Sequence, residues 1–418
     1  MHYSFHTANR KTLYDSLSDG TLLLSFAGEA LRQSADAYYP FFANRNFVYL
    51  TGLSGSEPKG FILLAKKKGD IVEETIFALP PDLLAERWNG RRLPFDEISE
   101  LSGISHVLPL AEFEGVFHKA VNSGQFGILA LDLERHKLGE PDGASHHFAK
   151  LSAERYPQLA AASYSKQMRI QRTIKMLCEI EAMQEAMKVT KAGITAMMRA
   201  SRPGMYEHEY KAIFDHTLTD YGVLVPAFQP IISAGNNNFF IHYDSYMGKA
   251  EDGDMILNDV GACWDNICTD VSRGWPCNGK FSERQRLLYE VAYNTSEYMF
   301  DLIKPGMPMA DVDLIARRRN FEYLKELGLV DTYENAGKLI WHGGAHHVGY
   351  DVHDMVDLTM PVSPGMVFSV DIGIYCEEWG IGFRLEDNCL VTEDGCMNLS
   401  ADIPRTIEEI EAEMAEDA

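Results

Sequence analysis

Short apolar runs alternate with stretches of helical periodicity through the first 165 residues of the chain. Apolar runs bounded by turn-forming residues predict strands, and apolar residues three or four positions apart predict helices. By these patterns residues 111–120 form a helix, and residues 64–71 form a hairpin turn. Strands are predicted at residues 21–26, 47–50, 60–64, 75–79 and 127–131. The region is therefore predicted to be an α/β domain of modest size.

The pattern changes near residue 165. A stretch rich in Met, Ala, Lys and Glu predicts one or two helices over residues 165–200. Further helices are predicted at residues 206–221, 283–302 and 309–327, with a last helix end at 408–418. Strands are predicted at residues 229–234, 254–260, 267–273, 366–375 and 382–391. We therefore expect two domains, an N-terminal one over residues 1–165 and a C-terminal α+β one over residues 166–418.

Composition and charge exclude several classes of protein. With 46% hydrophobic and 24% charged residues, the 418-residue chain is too apolar for extensive disorder. The 38 Lys and Arg against 61 Asp and Glu give a net charge of −23, so we expect no binding to nucleic acid or to an anionic membrane. The seven cysteines have no CxxC spacing, and the first residues do not resemble a signal peptide. A cytoplasmic location is therefore expected.

An internal similarity links two of the predicted strands. The Asp-Val-Gly sequence at residues 259–261 recurs as Asp-Ile-Gly at residues 371–373. Each is followed by a turn and by a second predicted strand with another acid, Asp270 in the first case and Glu386 in the second. Two hairpins with two carboxylates each suggest a pseudo-twofold arrangement, although a chance likeness of three residues is the alternative.

These four acids lie on segments with the apolar pattern of buried strands. A buried carboxylate needs a cation or several hydrogen bonds, and four together would repel one another strongly. Residues 341–354, WHGGAHHVGYDVHD, add a cluster of histidines, although a glycine-rich surface loop without a role is the alternative. Four acids and one histidine form an oxygen-rich site that favours Mn²⁺, Fe²⁺ or Co²⁺. So many carboxylates favour two ions over one.

Five motifs, in order, resemble those of the creatinase/aminopeptidase family, and aminopeptidases of the Xaa-Pro type are the most similar branch. The motifs are IHYD at 241–244, DVG-x8-DVSR at 259–273, HGGAHHVGYDVHD at 342–354, PGM-x4-DIGIY at 364–375 and GIGFRLED at 380–387. N-terminal matches at residues 34–53 and 85–93 extend the resemblance over essentially the whole chain.

The resemblance implies an α+β chain with a C-terminal pita-bread domain, in which two pseudo-symmetric halves form an antiparallel sheet with helices outside. A smaller α/β creatinase-like domain precedes it. The resemblance also implies two divalent ions, Mn(II) first and Co, Fe or Zn as alternatives. The implied metal ligands are Asp259, Asp270, His346, Asp371 and Glu386.

The family pattern also implies roles around the metals. Catalytic roles fall to His242, His353 and Asp371, and substrate-binding roles fall to His342, Tyr375, Arg384 and Trp88. Trp88 matches an aromatic residue that reaches a neighbouring active site in family tetramers, so a homodimer or homotetramer is expected.

One position departs from the family pattern. Asp371 and Ile372 stand where the family usually has Glu and Pro. The shorter acid retracts the carboxylate by about 1.5 Å, one carbon–carbon bond. The outcome is open between a working site with altered metal preference and a weak second metal with low activity.

The implied function is an aminopeptidase that hydrolyses the bond between an N-terminal residue and a following proline in peptides. The nearest alternative is an Xaa-Pro dipeptidase, a prolidase, with the same metals; the N-terminal matches favour the aminopeptidase. A metal-depleted pita-bread binding protein is a second alternative, disfavoured because four of the implied ligands match and the fifth remains acidic. A metal-free C–N hydrolase of the creatinase type is the third.

Overall fold

A computed structural model describes residues 1–416, and the chain separates into two units, Met1–Gln171 and Arg172–Ala418. The predicted domain division between residues 165 and 166 stays a prediction. Within the described residues, no helix is both long enough and apolar enough to cross a membrane.

The N-terminal unit is built on a mixed six-stranded sheet. The strands of the whole unit, including the two outside this sheet, are β1 Thr21–Phe26, β2 Arg32–Ser34, β3 Ala37–Tyr38, β4 Ile62–Lys68, β5 Ile71–Ala78, β6 Val107–Pro109, β7 Ile128–Leu131 and β8 Ala160–Ser163. Its helices are α1 Tyr3–Ser16, α2 Arg45–Thr51, α3 Leu83–Asn89, α4 Phe95–Ser102, α5 Phe113–Asn122 and α6 Ala144–Arg155; α7 Ser165–Thr173 crosses the boundary between the units. The sheet order is β6-β5-β4-β1-β7-β8, while β2 and β3 form a separate ladder.

Two predictions for this unit need correction. The predicted strand at residues 47–50 is wrong, because the segment lies within helix α2. The Asn44 side chain accepts the Phe47 N–H at the start of this helix, and Gly52, with φ of 75°, ends it. These caps outweigh the strand propensity of the aromatic and β-branched residues between them. The predicted turn at residues 64–71 is also too long. Strand β4 continues to Lys68 and β5 begins at Ile71, so only residues 69 and 70 remain for the turn.

The C-terminal unit contains two three-stranded antiparallel sheets, β13-β10-β9 and β14-β15-β16, and the hairpin β11-β12. Its strands are β9 Ile231–Ala234, β10 Met255–Val260, β11 Cys263–Trp264, β12 Ile267–Cys268, β13 Val271–Pro276, β14 Val367–Cys376, β15 Ile381–Val391 and β16 Cys396–Asn398. Its helices are α8 Leu177–Ala200, α9 Glu207–Asp220, α10 Glu283–Leu302, α11 Met309–Glu326, α12 Tyr333–Ala336 and α13 Ile407–Ala415. Strands β13 and β15 lie against each other and bring the two sheets together.

Two segments of this unit differ from the sequence prediction. The predicted strand at residues 267–273 is interrupted between β12 and β13. Asn388 causes the break, because its side chain accepts the Asp270 N–H at 3.1 Å and donates to the Asp270 carbonyl at 2.6 Å. The predicted helix end at 408–418 corresponds to α13, and the last two residues of that prediction lie outside the described residues.

Strand β14 shows how the core and the polar side of a sheet are separated. Successive side chains of a strand point to opposite faces. Val370, Ile372 and Ile374 are buried in the main hydrophobic core, which helices α8, α10 and α11 also line. Ser369 and Asp371 alternate with them and therefore point to the other face. One face of the strand stabilises the fold, and the other is available for chemistry.

A buried ion network lies behind strand β15. Asp387 points away from the face that carries Glu386 and accepts a hydrogen bond from Arg273 at 2.8 Å. Its second oxygen lies 3.0 Å from Arg405. Arg273 also donates to the carbonyl of Glu386 at 2.8 Å. Arg273 and Asp387 have no exposed surface. The Arg273 charge therefore depends on Asp387 for compensation, and the Asp387 charge depends on Arg273 and Arg405 together.

Replacing Arg273 by Met should destabilise the protein by about 3–5 kcal/mol, because a buried carboxylate loses one of its two cations. Urea denaturation followed by the fluorescence of the buried Trp275 measures the change. The matched control is Arg286→Met, which breaks a half-exposed pair with Glu411 and should cost no more than about 1 kcal/mol. Equal losses in the two variants would contradict the stabilising role of the buried network.

Candidate metal centre

Two carboxylates come from the sheet that contains β10 and β13. Asp259 lies near the end of β10, directly opposite Ser272 of β13. Asp270 lies in the break before β13, where Asn388 holds its backbone. Both acids are largely buried, at 8% and 4% exposed. Their side chains point into the same cavity of the C-terminal unit.

Two further carboxylates face this pair from the second sheet. Asp371 of β14 and Glu386 of β15 are direct cross-strand partners, so their side chains leave the same face of the sheet. Ser272 donates its hydroxyl to Glu386 at 3.1 Å and thus connects the two sheets. The predicted pairing of two acidic hairpins is therefore present in the structure.

His346 reaches these acids from the loop before β14. Its backbone is fixed by Ser369, whose N–H donates to the His346 carbonyl at 2.7 Å and whose hydroxyl accepts the His346 N–H at 3.1 Å. Its ring Nε2 lies 3.4 Å from Asp270 Oδ2 and 3.3 Å from Glu386 Oε1. One ligand atom from each of these three residues lies within 4.8 Å of the others. This group has the chemistry and the spacing to hold a cation.

A cavity of about 430 Å³ collects almost all of the predicted site residues. It is lined by the five predicted ligands and by four predicted neighbours, namely Asp259, Asp270, His346, Asp371, Glu386, His242, His342, His353 and Arg384. Apolar residues such as Phe228, Ile231 and Val352 complete its wall. The volume is sufficient for a small peptide ligand.

Arg384 organises one side of this cavity. Its guanidinium donates to Asp259 at 2.7 Å, to the Tyr375 hydroxyl at 3.2 Å and to the Ile241 carbonyl at 3.1 Å. Tyr375 is fully buried and its ring stacks on Trp341 at a centroid distance of 4.6 Å. Arg384 therefore balances the charge of Asp259, while the stacked Tyr375 and Trp341 fix the position of the guanidinium.

His342 organises the other side. Its Nδ1 lies 3.1 Å from Asp371 Oδ2, and its Nε2 lies 2.9 Å from the Tyr375 hydroxyl. The ring approaches Gly373 so closely that a Cβ there would lie 2.2 Å from Nε2. A residue without a side chain is therefore required at position 373 for this histidine to reach Asp371.

The residues present fit divalent metal ions. One oxygen of each of the four acids is buried and has no hydrogen-bond partner among the described residues. Buried polar atoms are normally satisfied, so four carboxylate oxygens without a hydrogen-bond partner in one cavity fit the binding of cations. Carboxylate oxygens with one imidazole are ligands typical of first-row divalent ions. Asp259 and Asp371 each retain one such oxygen beside the one already paired with Arg384 or His342.

The pKa values of Glu386, Asp270 and His346 reflect the concentration of carboxylates in this cavity. Burial raises the pKa of Glu386 to about 7, and the nearby charge of Asp371 adds to this shift. Burial and the charge of Glu386 also raise the pKa of Asp270 well above its ordinary value. Burial alone would lower the pKa of the His346 ring, but contact with Glu386 raises it to about 9. A bound cation would favour the ionised acids and the neutral ring.

Two further histidines complete the cavity. His353 stacks on His346 with ring centroids 4.0 Å apart. Burial, together with the rings of His346 and His242, lowers the pKa of His353 to about 4. This ring is therefore neutral near pH 7. His242 is an exposed residue at the cavity wall.

Trp88 stands apart from the group. It belongs to the N-terminal unit, where it lies near the end of α3 with 87% of its surface exposed. Its role stays a prediction, as do the individual roles of the other residues.

Several residues that support the site were not singled out as site residues from the sequence. Ser369 and Asn388 hold the backbones of His346 and Asp270, and Trp341 supports Tyr375. The alternation of β15 could have identified Asn388, which lies two residues after Glu386 and so shares its face. The alternation of β14 likewise places Ser369 on the face of Asp371. No local pattern marks Trp341, because its partner Tyr375 is distant in sequence.

A second buried ion network fixes the end of the segment 341–354 that contains the clustered histidines. Asp354, directly after His353, accepts hydrogen bonds from Arg172 and from Lys175, the latter at 2.7 Å. The two cations hold the pKa of the Asp354 carboxyl below its ordinary value although burial opposes this. Asp354 also donates its N–H to the His347 carbonyl at 2.9 Å, which closes the loop.

Comparison with known proteins supports the sequence interpretation. Residues 181–393 match the model of Metallopeptidase family M24, and residues 6–128 match that of the aminopeptidase P N-terminal domain. The Xaa-Pro aminopeptidase of Escherichia coli K12 is 30% identical, over 97% of this chain and 96% of its own length.

Solved structures support the fold over the full length. One from Bacillus anthracis is 36% identical, covers 100% of this chain and 99% of its own, and superposes with a TM-score of 0.96. A zinc-substituted E. coli aminopeptidase P in complex with product is 28% identical, covers 99% and 98%, and gives a TM-score of 0.88. The predicted C-terminal pita-bread domain, preceded by a smaller α/β creatinase-like domain, is thus confirmed. The chain belongs to metallopeptidase family M24.

Proposed function

We propose that this protein is an aminopeptidase that removes the N-terminal residue from peptides with proline in the second position. The observation that supports this most directly is the convergence of four carboxylates and one histidine on a single cavity with four unsatisfied oxygens. The similarity to Xaa-Pro aminopeptidases over 97% of the chain supports the choice of substrate.

The proposed cofactor is a pair of divalent ions, with Mn(II) first and Co, Fe or Zn as alternatives. The residues that would hold the pair are Asp259, Asp270, His346, Asp371 and Glu386. When bound, such ions activate water as a nucleophile and polarise the scissile carbonyl. Hard oxygen ligands with one imidazole support manganese, although zinc is accepted by the E. coli relative in its substituted form.

His353 and His242 are proposed to contact the substrate. His353 is uncharged near pH 7, so its ring can donate a hydrogen bond to an oxygen that gains negative charge. His242 at the cavity wall would support the same oxygen. Apolar side chains such as Ile241 and Val352 offer the surface against which a proline ring would pack. The cavity thus combines hydrogen-bond donors with a small apolar wall.

Asp371 is proposed to carry the proton to the leaving imino nitrogen of proline. A secondary amine must be protonated as the bond to it breaks. A carboxylate within reach can first accept the proton that the attacking water loses and then pass it to this nitrogen. His342 holds Asp371 at 3.1 Å, and Tyr375 holds His342 at 2.9 Å. These two contacts fix the orientation of the Asp371 side chain.

We also propose that Trp88 contributes to the site of a neighbouring copy in a homodimer or homotetramer. An exposure of 87% for a tryptophan supports a partner surface at this position.

We further propose that the protein is located in the cytoplasm. Its seven cysteines are thiols without a disulfide, which supports a reducing compartment.

Protein stripped of metal and reconstituted with Mn²⁺ should release the first residue from Xaa-Pro-Xaa tripeptides, because its five proposed ligands then hold the ions. Removal of metal by a chelator should abolish the activity, and Mn²⁺ should restore it. Chromatographic quantification of the released amino acid measures the rate. Equal cleavage of matched Xaa-Ala-Xaa peptides would contradict the proline requirement, and faster cleavage of Xaa-Pro dipeptides would favour a prolidase.

Glu386→Gln should weaken Mn²⁺ binding by at least about 100-fold, since even the outer partners of metal ligands contribute 10–100-fold. The amide keeps the shape of the side chain but removes its charge, so the loss reports on ligation. Titration calorimetry and metal analysis of the purified variant measure the effect. The control is Glu378→Gln, an exposed acid in the short turn after β14, which should bind Mn²⁺ as wild type does.

Asp371→Asn should lower kcat by about 10²–10⁴-fold, because the proton carrier is lost. Asp371→Glu keeps the carboxylate and should retain activity. The ratio of the two variants separates the charge from the length of the side chain. Metal content, measured alongside, distinguishes loss of proton transfer from loss of an ion. An active Asn variant with full metal content would exclude Asp371 as the proton carrier.

A further inference from the structure

A short hairpin connects two of the cavity acids. Strands β11 and β12 lie between Asp259 and Asp270 and are joined by a two-residue turn, Asp265 and Asn266. Both turn residues have left-handed φ values, 47° and 71°, as a tight type I′ hairpin requires. Such a turn fixes the pairing of the two strands.

This pairing places two cysteines directly opposite each other. Cys263 of β11 is the cross-strand partner of Cys268 of β12. Side chains of directly paired residues leave the same face of a sheet, so both thiols lie on one side of the hairpin. Both residues are thiols in this structure.

Backbone hydrogen bonds show whether Cys263 and Cys268 form a hydrogen-bonded or a non-hydrogen-bonded cross-strand pair. Thr269 donates its N–H to the Ala262 carbonyl at 3.0 Å, so this rung is hydrogen-bonded. The next rung is Cys263 with Cys268, and Cys268 donates its N–H away from the hairpin, to Gly349 at 2.8 Å. The cysteines therefore occupy a non-hydrogen-bonded rung, where Cα atoms are about 4.5 Å apart. That spacing lies within the range of about 4.4–6.8 Å found for disulfides.

We propose that Cys263 and Cys268 are a site of reversible oxidation, at which a peroxide converts the two thiols into an intrachain disulfide. Cys263 is partly exposed and reacts first, giving a sulfenic acid and one water as the peroxide O–O bond breaks. The Cys268 sulfur, 3% exposed, then attacks the sulfenic sulfur and releases a second water. Two thiols and one hydrogen peroxide thus give one disulfide and two waters, and a dithiol reverses the reaction.

The oxidation would be coupled to the metal site, a part of the proposal that rests on the proposed function. Cys268 lies two residues before Asp270, and its sulfur contacts the Tyr350 carbonyl at 3.7 Å. A bond to Cys263 draws this sulfur away from the loop that leads to His353. The segment that holds Asp270 then moves, and Mn²⁺ binding weakens.

A second cysteine pair provides an internal comparison. Cys389 of β15 lies opposite Asn398, and Cys396 of β16 lies opposite Val391, so the two cysteines are diagonal. Diagonal Cα atoms are about 7–8 Å apart, at or beyond the limit for a disulfide without backbone movement. Cys389 is also fully buried. The two thiols are nevertheless in hydrogen-bond contact, which lowers the pKa of Cys396. Because a bridge between diagonal cysteines requires backbone movement, the directly paired hairpin cysteines should be bridged first.

The experiment treats the full-length protein with hydrogen peroxide, alkylates the remaining thiols and analyses tryptic peptides by mass spectrometry. We expect the peptide that contains both hairpin cysteines to lose two hydrogen masses and to resist alkylation until a dithiol is added. Cys263→Ser should abolish this change. The proposal would be overturned if Cys263 and Cys268 were both still fully alkylated after peroxide treatment. A disulfide found only between Cys389 and Cys396 would overturn it as well.

Mn²⁺ titration then tests the coupling. Oxidised wild type should bind Mn²⁺ about tenfold more weakly than reduced protein, the size of effect expected from a displaced ligand support, and Cys263→Ser should show no difference. A bridge with unchanged Mn²⁺ affinity would overturn the coupling. Failure of the reduced, Mn²⁺-loaded protein to cleave proline peptides would instead count against the proposed function and leave the mass-spectrometric result standing.

Discussion

Mutual repulsion among four buried carboxylates is the constraint on which the C-terminal unit depends. Each acid would raise the pKa of its neighbours unless positive charge or hydrogen bonds were supplied. Arg384 balances Asp259, and His342 balances Asp371, while Asp270 and Glu386 face the ring of His346. One oxygen of every acid still lacks a hydrogen-bond partner among the described residues. The protein therefore supplies only part of the compensation, and the remainder calls for cations from solution.

Strand alternation lets the same segments carry this charge and hold the fold together. On β15, Glu386 points into the cavity, whereas Asp387, the next residue, points to Arg273 and Arg405 on the other side. Neighbouring acids thus point to opposite sides of the strand, one into the cavity and the other into a buried ion network. Because Arg273 also binds the Glu386 carbonyl, the network behind the strand fixes the residue in front of it.

The sequence predicted the elements in which periodicity and burial agree. Helix α10 has the bounds that its apolar spacing predicted, and β10, β14 and β15 follow the apolar runs that carry the acids. Prediction failed where a distant or flanking residue decided the backbone. Asn388, 118 positions further along the chain, interrupts the strand at Asp270, and no local pattern encodes such a contact. The family motifs indicated which residues would meet; the hydrogen bonds that orient them required coordinates.

The order of these elements along the chain has a consequence for synthesis on the ribosome. Asp259 and Asp270 emerge early, but Arg384 and Glu386 belong to β15, near the end of the unit. A chain released before β15 would expose acids without their arginine and without their fourth carboxylate. It could not close the cavity around ions. The cavity is therefore complete only once β15 has paired with β14.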